Sequence, residues 1–264
     1  MPGCADRRPV EGPGTAGMIV ASGVCRSFGA LTAVSDVSFS LPGGRITGIV
    51  GSDGAGKTTL LRMIATLLPP DAGTLTVAGC DVASERAAAK ERIGYMPQRF
   101  GLYQDLTVAE NLDFFMDIYG ISGGERRRRR ERYLGFSNLL PFTGRRAGDL
   151  SGGMKQKLGL ACVLVHEPQV LILDEPTNGV DPVSRQEFWQ ILADMQQAGM
   201  TVLVSTAYLD EGERCDRLLL MHNGRILADA RPVEVRAGFG SLEEAMIERI
   251  RAVDAALAED TFGR

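Results

Sequence analysis

A glycine-rich segment is the first place in this chain where residue types and spacing indicate chemistry. Residues 51–59 read GSDGAGKTT and match the pattern G-x-x-x-x-G-K-[ST]. In such a loop the glycines let backbone N–H groups curl around phosphate oxygens, the lysine places a charge on them, and the next hydroxyl is a Mg²⁺ ligand. The pattern predicts a nucleotide-phosphate loop, with Thr58 at the metal, formed by Gly51, Ser52, Asp53, Gly54, Ala55, Gly56, Lys57, Thr58 and Thr59.

Two acids follow an apolar run at residues 170–175, VLILDE. By itself, such a run is typical of a buried strand that meets a solvated turn. Downstream of a phosphate loop it supplies what hydrolysis still needs, which is an acid near the metal and a general base beside the γ-phosphate. We therefore predict that Asp174 belongs to the metal site and that Glu175 is catalytic.

A third segment, LSGGMKQK at residues 150–157, precedes an apolar helical run. Ser151 can cap that helix, and Gly152 and Gly153 allow a ligand to approach the backbone closely. The segment therefore predicts a second anion-binding helix N-terminus. An ordinary capped helix is the alternative.

The bulk composition limits the possible partners. The 29 basic and 33 acidic residues give a net charge of −4, which provides no general field for nucleic acid. No apolar run approaches the roughly 20 residues that a transmembrane helix needs. The five cysteines lie far apart and are interpreted as reduced thiols. We expect a chain that binds no nucleic acid, with a disordered leader at 1–17 that lacks the apolar core of a secretory signal.

Short strands and helices must position these segments. Apolar runs predict strands at 18–21, 34–41, 46–50, 74–77, 170–174, 201–205 and on both sides of the turn at 222–224. Helical spacing predicts helices at 56–68, 108–119, 155–165, 182–197 and 242–258. The alternation indicates an α/β fold with a parallel sheet. The stretch from 101 to 165, in which no strand is predicted, indicates an inserted helical subdomain.

The octet LSGGMKQK resembles the signature motif of ABC ATPases, and the other segments occur in that family's order. Gln98 lies in YMPQRFGLYQDLTVAENL, which looks like the family's Q-loop. The resemblance extends from about Met18 to Ala230. It implies an ABC-type P-loop NTPase at 18–236, with a RecA-like core sheet, a small antiparallel β subdomain and a helical subdomain at about 98–165. A C-terminal helix or tail would follow at 237–264.

The same resemblance implies ligands and further site residues. ATP and Mg²⁺ are the implied cofactors, and Gln98 would act both in catalysis and at the metal. Phe28 matches the aromatic residue that stacks on adenine, although a core position is the alternative. Asp181, in NGVD, matches the D-loop. Each ATP would lie between the phosphate loop of one domain and Ser151 to Gly153 of a second ATP-binding domain, in a homodimer or a heterodimer.

A longer run, residues 141–176 together with GVDPVSR, looks like the ATPase of bacterial ABC-2-type exporters of drugs or ions. This resemblance implies a transmembrane permease subunit as partner, with residues 99–119 as its dock. It implies a cytoplasmic location, peripheral at the inner face of the cell membrane. It does not imply a substrate, because the ATPase surface meets the membrane subunit and not the cargo.

One position departs from the family pattern. Members usually read S-T-H after the strand at 201–205, whereas this chain reads Ser205-Thr206-Ala207. That histidine bridges the γ-phosphate and the catalytic glutamate, so Ala207 lacks a donor for the transition state. We expect slowed hydrolysis, with neutral drift as the alternative.

Two other functions stay open. A catalytically degenerate ATP-binding partner in an asymmetric transporter would explain Ala207 but not the intact Glu175. A soluble, non-transport ABC ATPase is disfavoured, because the segment between Gln98 and Ser151 is too short for the coiled-coil insertion of DNA-repair relatives.

The basic run at 125–132, ERRRRRER, has two interpretations. The favoured one is the solvated face of a helix or an exposed loop. The other is a contact with anionic lipid headgroups beside a transporter.

Overall fold

The computed structural model describes the backbone of residues 17–262 and the side chains of residues 17–254. Its strands are β1 (Ile19–Phe28), β2 (Leu31–Leu41), β3 (Ile46–Val50), β4 (Ala72–Val77), β5 (Cys80–Asp81), β6 (Ile93–Met96), β7 (Val170–Asp174), β8 (Thr201–Thr206), β9 (Arg217–His222) and β10 (Arg225–Ala230). Its α-helices are α1 (Lys57–Ile64), α2 (Arg86–Arg92), α3 (Val108–Ile118), α4 (Gly123–Phe136), α5 (Gly152–Leu164), α6 (Pro182–Gln197), α7 (Leu209–Gly212), α8 (Pro232–Val235) and α9 (Leu242–Phe262). The leader expected at 1–17 lies, apart from Gly17, outside the described residues.

The strands form two sheets. The larger sheet has the order β10-β9-β3-β8-β7-β6, in which every neighbouring pair is parallel except the hairpin of β9 and β10. The smaller sheet, with the order β2-β1-β4-β5, is antiparallel. The expected α/β fold, with its core sheet and small antiparallel β subdomain, is therefore confirmed.

The central strands determine where a ligand can bind. Every residue of β3, β7 and β8 is buried, as expected for strands that helices cover on both faces. Because these strands are parallel and in register, their carboxyl ends meet at one edge of the sheet. Open α/β sheets bind ligands at that edge. Residues 51–59, 174–175 and 205–207 all lie there.

Helix α1 is shorter than its sequence pattern predicts. The apolar spacing and the prolines at 69–70 predict a helix that continues to Leu68, but α1 ends at Ile64. Thr66 has a positive φ of 61°. The N–H groups of Leu67 and Leu68 both donate to the carbonyl of Arg62. The left-handed residue Thr66 therefore ends this helix before the prolines do.

The inserted segment is helical, as expected. It contains α3, α4 and α5, with two short 3-10 turns between α4 and α5. Helix α3 begins with a capping box, because Thr107 and Glu110 each accept a hydrogen bond from the other's backbone N–H. Helix α5 begins at Gly152 and not at Lys155, the start that the apolar spacing predicts, because Ser151 caps it.

Sequence patterns did not predict β6 and α2. Strand β6 has four residues with a glycine among them, and α2 has seven residues with a single buried position. Neither is long enough to show a periodicity. Strand β6 is defined by its pairing with β7, which is a tertiary contact.

The basic run forms most of α4, and most of its arginines pair within the protein. Arg126 and Arg130 contact Asp113 of α3, and Arg129 contacts Glu167 after α5. These pairs hold α4 against its neighbours. They favour the interpretation of the run as one face of a helix over a contact with lipid headgroups. In the part of the chain that the structure describes, we find no helix whose length and apolar character would suit a membrane span.

The terminal helix α9 continues to Phe262, four residues beyond its predicted end at Ala258. Its first turn packs into the domain, since Leu242 and Ala245 are buried.

Candidate functional site

A cleft of about 700 Å³ opens at the carboxyl edge of the parallel sheet. It is lined by the phosphate loop, the β1–β2 hairpin, the segments after β6 and β7 and the turn between β9 and β10, through Phe28, Leu31, Thr32, Ala33, Asp53, Gly54, Ala55, Gly56, Lys57, Thr58, Thr59, Gln98, Glu175, Asn178 and Asn223. Most of the predicted site residues therefore meet in one place within a single chain.

Two glycines allow the phosphate loop to pass close to other backbone. Gly56 has a φ of 101°, and a Cβ atom there would lie 2.2 Å from the carbonyl oxygen of Ala33. A Cβ atom at Gly51 would lie 2.2 Å from the carbonyl oxygen of Met221. Only glycine fits at either position. The close approach leaves residues 53–59, including the first turn of α1, along the cleft.

Lys57 is almost fully buried, with 5% of its surface exposed. Its Nζ donates to the carbonyl oxygens of Gly51 at 2.8 Å and Ser52 at 3.1 Å, and it lies 3.3 Å from Oε1 of Glu175. A buried ammonium group requires such partners. Its charge therefore lies between the loop and Glu175, where it can act on phosphate oxygens.

Asp174 is buried and collects hydroxyl groups. Its Oδ1 accepts from Oγ1 of Thr58 at 3.0 Å and from Oγ of Ser205 at 2.8 Å, and the hydroxyl of Tyr95 lies 3.5 Å from Oδ2. Burial, and then the charge of Asp174, raise the pKa of Tyr95, so its phenol stays protonated. A hydroxyl and a carboxylate beside a phosphate loop are oxygen donors of the kind that Mg²⁺ takes together with water and phosphate. Thr58 and Asp174 therefore fit a Mg²⁺ site.

Glu175 has a left-handed backbone, with a φ of 48°. Ser205 supports this backbone. The N–H of Glu175 donates to the Oγ of Ser205 at 3.0 Å and to the carbonyl oxygen of Ser205 at 3.2 Å. The carboxylate of Glu175 accepts from the side-chain amides of Gln98 at 3.0 Å and Asn178 at 3.2 Å. A strained non-glycine residue whose surroundings fix it in this way is a feature of functional sites.

Phe28 lies in the wall of the cleft, and 48% of its surface is exposed. This exposure argues against the alternative of a core residue. The guanidinium of Arg26 lies 5.0 Å from the ring centroid and supports the ring from one side.

The predicted second anion site lies outside the cleft. Ser151 and Gly152 are exposed, and Oγ of Ser151 accepts from the N–H of Met154 at 3.3 Å, which caps α5. Gly153 is buried. A Cβ atom there would lie 2.4 Å from Cβ of Ser184, so this glycine is needed for the packing of α5 against α6.

Asp181 also lies outside the residues that line the cleft. Its Oδ1 accepts from the N–H groups of Ser184 at 2.9 Å and Val183 at 3.1 Å, which caps α6. The bonds from Ser184, and then that from Val183, lower the pKa of Asp181. Its role within this chain is that of a helix cap.

Ala207 is exposed just after β8 and lines a side cleft of about 210 Å³ with Asp53, Glu175 and Asn178. The position is therefore next to the predicted base. A methyl group offers no hydrogen-bond donor.

Sequence patterns did not identify several residues around the site: Tyr95, Thr177, Ser205, Thr206, Glu211 and Asn223. Most are ordinary residues of strands and turns. The one available signal was a pair of hydroxyl residues at the end of β8, the strand next to the acidic end of β7.

Comparison with known proteins agrees with this geometry. Residues 34–178, more than half of the chain, match the family model described as ABC transporter. The chain belongs to this family. The resemblance carried by the phosphate loop, the LSGG octet and the VLILDE run is confirmed.

Curated relatives of the chain include bacterial proteins named as ATP-binding proteins. The chain is 54% identical over 200 residues to "Probable multidrug ABC transporter ATP-binding protein YbhF" of Escherichia coli (strain K12). The matched region covers 76% of this chain and 35% of that protein. The chain thus spans about a third of that relative's length. The chain is also 38% identical over 212 residues to "Linearmycin resistance ATP-binding protein LnrL" of Bacillus subtilis (strain 168). The matched region covers 80% of this chain and 68% of that protein.

Solved structures with the same fold include an ATP-binding subunit of an ABC transporter. The TM-score is 0.78 with 29% identity, over 88% of this chain and 99% of that one. A dimeric ATP-binding cassette in a post-hydrolysis state, bound to ADP and Pi, has a TM-score of 0.72 with 25% identity, over 81% and 98% of the two chains. The expected ABC-type P-loop NTPase fold is confirmed.

Proposed function

We propose that this chain binds and hydrolyses ATP as the energising subunit of an ABC-type exporter of drugs or other small molecules. One observation carries the proposal. A buried lysine, a hydroxyl and a glutamate held by two amides line one cleft, as Lys57, Thr58 and Glu175, and the hydroxyl donates to the buried Asp174.

The arrangement supports phosphoryl transfer to water. ATP would place its phosphates against residues 51–59 and its adenine on Phe28. Thr58, Asp174 and Gln98 would hold Mg²⁺, which when bound neutralises charge on the phosphate oxygens. Lys57 stabilises the same oxygens from the loop side, and Glu175 accepts the proton of the attacking water.

A second ATP-binding domain is part of the proposal. Within one chain, Ser151 to Gly153 and Asp181 lie outside the cleft that contains Lys57. They would complete the site of a partner packed head to tail, in a homodimer or a heterodimer. We assign the ATPase domain to 18–236, its helical subdomain to about 98–165, and the terminal helix or tail to 237–264.

A transmembrane permease is the other proposed partner, with the chain on the cytoplasmic side, peripheral at the inner face of the membrane. The proposed dock at 99–119 carries a cluster of aromatic rings. Tyr103, with 46% of its surface exposed, packs edge-on against Phe114 at 4.6 Å, and Phe100 lies 5.4 Å from Phe115. Phe100 and Phe115 also pack against the core, which leaves Tyr103 as the exposed ring of the cluster.

Ala207 supports a slowed version of this function, because the side cleft next to Glu175 has no donor from that position. The second candidate, a catalytically degenerate ATP-binding partner, rests on the same residue. A soluble, non-transport ABC ATPase is the remaining alternative.

Affinity purification of the tagged chain from native membranes tests the transport role. We expect Mg²⁺-dependent ATP hydrolysis and a co-purifying permease polypeptide. Tyr103→Glu should lose the permease and keep ATP binding, whereas Val233→Glu, at a position that is 59% exposed elsewhere, should keep both. Recovery of no membrane polypeptide with the wild type would contradict the transporter role, and normal recovery with Tyr103→Glu would contradict only the dock.

A further inference from the structure

A buried carboxylate lies behind the side cleft. Glu211, in α7, has no solvent exposure. Its Oε1 accepts from Oγ1 of Thr177 and its Oε2 from Oγ1 of Thr206, both at 2.6 Å. A buried carboxylate is costly unless its oxygens are paired, so these two bonds are strongly favoured.

The two threonines belong to separate segments of the site. Thr177 lies in the loop after β7, and Thr206 is the last residue of β8; both are buried. Both line the side cleft next to Glu175. Glu211 therefore joins these two segments through one side chain.

Each threonine has a chain neighbour that holds Glu175. Asn178 follows Thr177 and donates to the Glu175 carboxylate at 3.2 Å. Ser205 precedes Thr206 and accepts from the N–H of Glu175 at 3.0 Å. The bonds to Glu211 thus fix both supports of Glu175, one at its carboxylate and one at its backbone.

Arg185 accounts for the charge on this buried group. Its Nε lies 3.8 Å from Oε1 of Glu211, and its guanidinium lies 4.5 Å from the ring centroid of Tyr208. The neighbouring Asp210 is 64% exposed and lies 3.7 Å from the same guanidinium. Glu211 is the carboxylate of the two that reaches the threonines, which makes Asp210 a suitable control.

We propose that Glu211 is a positioning residue for ATP hydrolysis, which sets the orientation of Glu175 by tying Thr177 to Thr206. The inference rests on the proposed function, because that function makes Glu175 the base. Glu211 lines neither the nucleotide cleft nor the side cleft. Its loss should therefore slow the chemical step and leave nucleotide affinity unchanged.

Hydroxyl-deletion variants test this role with little change of volume. Thr177→Val should lower the single-turnover rate of ATP hydrolysis about 10- to 100-fold, since misplacing a catalytic group by about 1 Å costs on the order of 10² in rate. Thr177→Ser restores the hydroxyl and should recover most of that rate. Glu211→Gln should also slow turnover, whereas Asp210→Asn should not. Titration with a fluorescent ATP analogue should give the same affinity for every variant.

Two results would overturn the positioning role. One is a wild-type rate in Thr177→Val and Glu211→Gln. The other is a parallel fall of rate, nucleotide affinity and thermal stability that Thr177→Ser does not reverse, which is the mark of a purely structural role. If the wild type shows no Lys57-dependent ATP binding or turnover, the proposed function fails and this role fails with it. If the wild type hydrolyses ATP and the Glu211 variants hydrolyse it equally fast, the proposed function stands and only the positioning role of Glu211 fails.

Discussion

Helices α1 and α5 both begin at glycine-rich segments that can bind an anion, but their surroundings differ. At α1 the loop lines a cleft, Lys57 is buried beside it, and Thr58 bonds to the buried Asp174. At α5 the cap residue Ser151 is exposed and lies outside that cleft.

The difference shows what a helix N-terminus needs in order to become a nucleotide site. A helix end carries roughly half a positive charge, and exposure weakens its effect. The end of α1 has beside it a buried cation, the carboxylate that we propose for the metal site and the proposed base, because three parallel strands finish there. The end of α5 is capped by Ser151 and packs against α6, but it lies outside the cleft of its own chain. We therefore propose that it contributes to the nucleotide site of a partner domain. Four substitutions test this division.

The largest effect is expected for Glu175→Gln. Loss of a general base should lower turnover by about 10² to 10⁴. With ATP retained, the α1 site of one chain should bind the α5 terminus of another, and light scattering should report a dimer. Glu213→Gln, an exposed control, should keep wild-type turnover. A Glu175→Gln chain that stays monomeric with ATP would exclude self-pairing and favour a heteromeric partner.

Lys57→Ala should weaken ATP binding by about 100-fold, because a buried charged hydrogen-bond donor contributes roughly 1.5–3 kcal/mol per bond. Lys155→Ala, which removes a half-buried lysine near the start of α5, is the matched control and should bind normally. Equilibrium titration with a fluorescent ATP analogue distinguishes them. Equal affinities in the two variants would remove the distinction between the helix ends.

Ala207→His should raise kcat about tenfold or more at unchanged nucleotide affinity, since one transition-state donor is worth on the order of 10² to 10³ in other enzymes. The side cleft beside Glu175 is where the imidazole would lie. Steady-state kinetics with Ala207→Ser as the comparison would measure the gain. A wild type already as fast as ordinary ABC ATPases, with no gain from histidine, would mean that another group supplies the donor.

The smallest effect is expected for Ser151→Ala. Loss of the cap on α5 should lower the free energy of unfolding by about 1 kcal/mol, or roughly 2–4 °C in Tm. ATP affinity of the single chain should not change, but dimerisation in the Glu175→Gln background should weaken. Ser241→Ala removes a similar cap at α9 and should lower Tm without affecting dimerisation. If both variants dimerise equally well, Ser151 is only a helix cap.

Sequence patterns predicted the structure best where a short run of residue types is compatible with only one backbone geometry. The loop at 51–59 predicted its own strand–loop–helix context because glycine is required at Gly51 and Gly56, where a Cβ atom would lie 2.2 Å from a carbonyl oxygen. The run at 170–175 predicted a buried strand with its acids at the end. Thr66 shows the limit, since its left-handed conformation ended α1 although the apolar spacing continued to Leu68.

Other features depended on contacts between distant parts of the chain. The four residues of β6 become a strand by pairing with β7, and four arginines of α4 pair with Asp113 or Glu167. No local pattern distinguishes Glu211 from the other acidic residues of the chain.

The sequence by itself determined the fold family, the phosphate loop, and Asp174 and Glu175, because each depends on residue types within a few positions of one another. The tertiary structure decided how Glu175 is held. Its supports lie just after β6, just after β7 and in β8, which meet only when the sheet forms. The buried carboxylate of Glu211 bonds to the chain neighbours of two of them. The bonds from Gln98 to Glu175, from Glu175 to Ser205 and from Thr177 to Glu211 join residues 30 or more positions apart. Such bonds leave no spacing for a sequence to display, so that part of the site exists only in the folded chain.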